Sequence, residues 1–139
     1  MTATEARERF AHAEVARLAS VGPDGRPHIV PIVFALEGET IYSVVDEKPK
    51  RRARLQRLEN LRAAPAAAVL ADEYDADWSR LWWARADGSA RILAAGEPEA
   101  RRAVGLLAAR YPQQRAAGEV LAIDVQRWSG WAAWERAVR

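Results

Sequence analysis

Residues 15–45, VARLASVGPDGRPHIVPIVFALEGETIYSVV, decide how this chain folds. Three apolar runs are separated by Pro23-Asp24-Gly25 and by Glu37-Gly38-Glu39, and both separators carry the turn chemistry that reverses a strand. The pattern predicts a meander of three antiparallel strands near residues 15–22, 27–36 and 40–46. Pro31 falls inside the second run. It has no N–H to give to a ladder, so that strand belongs at an edge or carries a bulge, and such a break exposes backbone groups to a ligand.

Upstream, Thr4 to His12 reads as a short helix capped by Thr4, with Ala6, Phe10 and Ala13 at helical spacing, lying across one end of the sheet. Downstream the period changes. From Lys48 to Ala64, Leu55, Leu58 and Leu61 recur every three residues behind Pro49, a residue tolerated in a first helical turn. Pro65 ends that helix and AAAVLAD, residues 66–72, enters a fourth strand. The acidic stretch from Glu73 to Asp77 reads as a solvated loop without the spacing of a calcium loop. Residues 78–96, WSRLWWARADGSARILAAG, read as a strand, an Asp87-Gly88 hairpin turn and a second strand. A helix follows from Glu97 to Arg110 with Val104, Leu106 and Leu107 inward, and residues 119–135 give a last strand or pair of strands interrupted at Ser129-Gly130. Helices outside long antiparallel runs, with no βαβ alternation, predict a mainly β, α+β or barrel architecture rather than a doubly wound sheet.

With 139 residues and 50% hydrophobic content, the chain fits one domain, residues 1–139. Its six tryptophans predict a core completed by pairing into a homodimer. The absence of cysteine excludes disulfides, thiolate nucleophiles, zinc ribbons and iron–sulfur clusters. The first twenty residues hold no apolar run long enough for a signal or a membrane span, which predicts a cytoplasmic protein without membrane association.

The net charge of +2 conceals an asymmetry. From Lys48 to Arg62 seven basic residues stand against one acid, Glu59, while the rest of the chain is net negative. One short basic stretch on an acidic body predicts a local anion site and argues against a nucleic-acid face. Lys48, Lys50 and Arg51 crowd the start of the helix, where the macrodipole disfavours cations, so their placement calls for a compensating anion such as a phosphate or polycarboxylate. Trp82 and Trp83 are adjacent in a strand, one facing in and one out, and Trp128, Trp131 and Trp134 recur every three residues. They serve either the core and a dimer contact or a wall for a flat ring. Two histidines, His12 and His28, on separate elements make no metal site, and no serine sits in a nucleophile elbow.

The stretch from about Val15 to Trp83 resembles the split-barrel flavin and deazaflavin oxidoreductases, the pyridoxamine 5′-phosphate oxidase-like superfamily. The residues that carry the likeness are ARLASVGPDGRPHIVPIVF at 16–34, Lys-Pro-Lys-Arg at 48–51, Asn60-Leu61 with Pro65, and DWSRLWW at 77–83, which together resemble the branch that uses the deazaflavin coenzyme F-420. The resemblance implies a six-stranded split β-barrel and a homodimer with cofactor sites at the subunit interface. It also implies hydride transfer between the cofactor ring and an unsaturated small-molecule substrate. The ring would lie on Val30, Pro31, Ile32 and Val33. The phosphate would meet Ser43, Val44, Lys48, Lys50 and Arg51, with Arg54, Arg57 and Asn60 along the helix, and Trp82 and Trp83 would approach the ring. Members of the superfamily commonly place the basic residue three positions before Asn-Leu, which is Arg57, so the two ends of the basic segment compete for the phosphate. FMN in the same fold, and a non-catalytic cofactor- or haem-binding protein with His28 as ligand, are the alternatives. Residues 127–139 hold no counterpart of the substrate-phosphate residues of pyridoxamine phosphate oxidases, so pyridoxine oxidation is not expected. No side chain stands out as a general acid, and the product's proton would come from water, Tyr42 or Tyr74.

Overall fold

Thr2, not Thr4, starts the first helix, α1 (Ala3–His12). The Thr2 hydroxyl accepts from the Glu5 N–H at 3.1 Å and the Glu5 carboxylate accepts from the Thr2 N–H at 3.0 Å, a reciprocal cap. A cap at Thr4 would put Arg7, which has no acceptor, in the place of Glu5. The computed structural model describes residues 1–46, 51–114 and 116–137, and for residues 45, 46, 51–55, 116, 117, 136 and 137 it describes the backbone alone. Beyond α1 the elements are β1 (Ala16–Val21), β2 (Pro27–Ile32), β3 (Ala35–Glu37), β4 (Thr40–Asp46), α2 (Arg51–Ala63), β5 (Ala66–Glu73), a 3₁₀ turn at Trp78–Arg80, β6 (Trp82–Leu93), α3 (Pro98–Arg110), β7 (Ala116–Ala132) and α4 (Trp134–Ala137). The expected helix start at Pro49 lies outside the described residues. No helix among the described residues is long and apolar enough to cross a membrane.

All strands pair antiparallel in the order β2-β1-β5-β6-β7-β4-β3. The expected three-strand meander is therefore corrected. The run 27–36 breaks at Val33-Phe34; its first half pairs with β1 and its second with β4, giving seven strands instead of six. β2 and β3 thus form opposite edges of the sheet although Ile32 and Ala35 are only three residues apart, a span of at most about 11 Å. The sheet has to curl until its edges meet, which is a barrel with a seam at Val33-Phe34. Both carbonyls at the break are satisfied: Ser43 Oγ donates to Val33 O at 2.9 Å and Arg110 donates to Phe34 O at 2.8 Å. Pro31 sits on the edge strand, where a residue without an N–H is tolerated.

Two further expectations fail for one reason. β6 runs unbroken through Asp87-Gly88, and β7 runs unbroken through Ser129-Gly130. A primed hairpin turn needs positive φ, and neither Gly88 nor Gly130 has it. Both glycines instead admit a neighbour's approach. The register of β6 against β7 shifts at Asp87/Gly88, and a Cβ on Gly88 would stand 2.3 Å from Asp124 O. A Cβ on Gly130 would stand 2.7 Å from the backbone oxygen of Trp83 on β6 and 3.2 Å from Ala6 Cβ of α1.

The barrel core holds Leu18, Ile32, Phe34, Ile41, Val69 and Ile123, closed by Ala6 and Phe10 of α1; the Phe10 and Phe34 ring centroids lie 4.6 Å apart. On the other face of β4 and β7, Tyr42, Val44 and Val120 pack against Ala100, Ala103 and Leu107 of α3, with Val104 and Leu106 at the rim of that cluster. Arg91 ties the same region together. It reaches both Glu99 oxygens at 2.9 Å and both Asp124 oxygens at 2.6 and 3.0 Å, while the Tyr42 hydroxyl donates to Glu99 at 2.7 Å. These hydrogen bonds, Arg91 first, hold the Glu99 carboxyl down to about 2. A carboxyl depressed on folding stabilises above its unfolded value, 4.5, and loses that contribution as pH falls through about 2. All three side chains are about a third exposed or more, so water screens much of the interaction. Arg91→Ala is expected to cost about 1 kcal/mol near neutral pH. Urea unfolding should show the gap from wild type shrinking between pH 4.5 and 2, and a gap independent of pH would refute this origin.

Candidate functional site

The edge strand β2 brings the first group of candidate residues to the seam. Ile32 is buried in the barrel, Val30 packs against the same core, Pro31 points to solvent, and Val33 is held at the break by Ser43. Ser43 is buried and shares this seam, whereas Val44, next along β4, faces α3 and contributes only backbone here. Tyr42 also faces α3, buried and bonded to Glu99, with burial pushing its hydroxyl above the ordinary value. It is therefore not placed to give a proton on the barrel side. Tyr74 is 69% exposed on the loop after β5.

The second group sits on α2. Leu58 and Leu61 are buried as the periodicity predicts, which turns Asn60 inward as well. Asn60 is 1% exposed; its Oδ1 accepts from Gln56 Nε2 at 2.7 Å and its Nδ2 lies 3.4 Å from Ser20 Oγ on β1. Arg57 is half-buried, and its Nε, shut off from solvent, has no hydrogen-bond partner. Burial pushes its guanidinium below the ordinary value, and no carboxylate among the described residues forms an ion pair with it. Lys48 and Lys50 lie outside the described residues, and so do the side chains of Arg51 and Arg54.

The tryptophans do not join this group within one chain. Trp82 is 5% exposed, donates from Nε1 to Glu73 at 3.0 Å and lies under the Arg9 guanidinium, so it belongs to the core beneath α1. Trp83 points to the other face, where Arg85 stacks at 5.8 Å. Its level on the sheet, opposite Asp72, is four residues along β5 from Ala68, the partner of Ala19 beside Ser20. That separates Trp83 from the Asn60 level by roughly 13 Å along the strand. The acidic loop is partly self-ordered, with Asp77 capping the 3₁₀ turn through Ser79, and it leaves Trp78 73% exposed.

Sequence reasoning missed Gln56, Ser20 and the β1–β2 turn as parts of the same place. Gln56 and the turn, with His28 and Asn60, line an open pocket of about 610 Å³, and Ser20 lies behind it as the partner of Asn60 Nδ2. The spacing of Gln56 and Asn60, one helical turn apart, was the available signal.

The chain and its fold have counterparts among known proteins. Residues 2–132 match the sequence model described as pyridoxamine 5′-phosphate oxidase. The chain belongs to that family. No match was found among curated proteins. Among solved structures, the family fold recurs in a conserved hypothetical protein from Mycobacterium tuberculosis, with TM-score 0.78, 22% identity, and 100% of this chain and 89% of that one covered. It recurs in a protein described as FAD-binding from Mesorhizobium loti, with TM-score 0.72, 22% identity and 94% of each chain covered. A third is the haem storage protein from Vibrio cholerae, with TM-score 0.68, 15% identity, and 93% of this chain and 92% of that one covered. At these identities the likeness establishes the split-barrel fold.

Proposed function

We propose that this protein is an oxidoreductase whose barrel seam holds a phosphate-bearing flavin-type cofactor, the deazaflavin coenzyme F-420 or, alternatively, FMN. The observation that carries the reading is Arg57. A half-buried guanidinium with a solvent-shielded, unpartnered Nε is costly unless an anion completes it, and a cofactor phosphate supplies that charge. It favours the Arg57 end of the basic segment. That proteins of this fold are described as FAD-binding and as haem storage supports cofactor binding in general.

In this reading the bound ring supplies the hydride chemistry, for transfer to an unsaturated organic substrate stacked on it. The residues of the chain orient and shelter the ring. Val30 to Val33 offer a wall whose backbone is fixed at the seam by Ser43, and Arg57 anchors the phosphate. The homodimer is part of the proposal: Ile29, 66% exposed, and Val21, 43% exposed, stand on the outer face of β2 and β1 beside an apolar groove formed with Ala66 to Ala68. Sedimentation equilibrium reading a single copy would remove that part.

The test is a fluorescence titration of the purified protein with coenzyme F-420 and, separately, FMN. Saturable quenching by either one supports the reading and chooses between them. A Soret band with haem, and no quenching by either, would replace it with a haem-binding protein.

A further inference from the structure

On the outer face of the sheet, one cation stands beside the wall that β2 offers to a cofactor ring. Val30 and Ile32 turn into the barrel and are taken up by its core, so Pro31 is the residue of that strand end whose side chain meets solvent. Its partner across the β1–β2 ladder is Arg17. Residues directly opposite in an antiparallel pair project to the same face with their Cβ atoms about 5 Å apart, so Arg17 and Pro31 share one surface. The next residues along this row are Leu70 of β5 and Arg85 of β6.

The two arginines of the row are held differently. Arg85 is paired with Asp87 at 3.2 Å and lies over the Trp83 ring. Arg17 has Asp72 at 3.6 Å, beyond hydrogen-bond length, and makes no other polar contact among the described residues. Its side chain is 44% exposed, and an exposed pair at such a distance contributes little to stability. Asp72 therefore gives the guanidinium a direction and leaves its donor fork unfilled. A planar fork of this kind matches a carboxylate through two parallel hydrogen bonds. Half-buried Leu70 on the far side puts this cation at the margin of an apolar strip.

We propose that Arg17 selects the substrate by receiving the carboxylate of an unsaturated organic acid, whose flat apolar body takes the place beside Pro31. The inference rests on the oxidoreductase reading for the position of the ring, and it narrows the substrate of that reading from any unsaturated molecule to an acid. Arg17 and Arg57 then serve different anions: one on β1 for the substrate, one on α2 for the cofactor phosphate.

The experiment loads the whole protein with the cofactor that the titration selects and adds trans-cinnamate or its methyl ester, which differ in the carboxylate charge and little in the flat body. Binding is read without turnover, from the shift of the oxidised cofactor's absorption band. Cinnamate is expected to bind about tenfold or more tightly than the ester. Arg17→Gln should bring cinnamate down to the level of the ester while leaving the affinities for the ester and the cofactor unchanged. Arg127→Gln, which removes the same charge from an exposed position on β7, should change none of them. Equal affinities of acid and ester in the wild type, equal loss of cinnamate in the two variants, or no binding of either probe would overturn the role of Arg17 and leave the cofactor reading standing. Absence of cofactor binding would remove both.

Discussion

Gly88→Ala is expected to destabilise the protein by about 3 kcal/mol or more, because the new methyl group has no place to go. Its ideal position is 2.3 Å from Asp124 O, 3.0 Å from Asp124 C and 3.1 Å from Val125 Cα, all backbone atoms. β7 cannot retreat cheaply at that point. Asp124 is gripped by Arg91 and by Thr40, and its backbone pairs with β4 on the far side. Gly105→Ala is the internal comparison. It lies in α3 with nothing within 4 Å of an added Cβ, so the same chemical change there should stabilise by about 0.5–1 kcal/mol. Urea denaturation of the two variants should shift the midpoint in opposite directions. A Gly88→Ala midpoint equal to wild type would show that the close approach to Asp124 is not rigid.

Arg57→Met should have two consequences of opposite sign. Without ligand, the variant replaces a half-buried, unpaired cation with an apolar chain of similar length, and a gain of about 1 kcal/mol in stability is expected. With a phosphate-bearing flavin, it removes a charge-assisted contact, and affinity should fall by about 10- to 100-fold. A residue that weakens the empty protein and strengthens the complex is held for its ligand. Thermal melting without cofactor and fluorescence titration with it read the two effects independently. Unchanged affinity would move the phosphate toward the Lys48–Arg51 end of the segment.

The hairpins were legible in the sequence because their signals are local. Pro23-Asp24-Gly25 and Glu37-Gly38-Glu39 reverse the chain whatever surrounds them, and Leu58 and Leu61 show their buried face by spacing alone. The break at Val33-Phe34 was not legible, because it depends on Ser43 and Arg110 arriving from elsewhere to satisfy two carbonyls. Asp87-Gly88 misled for a similar reason. The dipeptide is a good turn by propensity, but Gly88 answers to a strand more than thirty residues away. In the candidate site, Arg57 was found by its neighbours in sequence and Asn60 by the motif that contains it. Gln56 carried no motif, and it joins Asn60 and His28 only after α2 is laid across the β1–β2 turn.

The place of β7 in the sheet sets an order of events. It is the latest strand in the chain, yet it lies between β6 and β4 and pairs with both. Until its residues are available, the β3–β4 hairpin has no sheet to join and the two edges at Val33-Phe34 have nothing to draw them together. During synthesis, β2, β1, β5 and β6 can assemble as an open ribbon, but the barrel waits for residues 116–132. Closure through partners some eighty residues apart, such as Thr40 with Asp124, places this protein among the slower folders of its size, in the range of milliseconds to seconds.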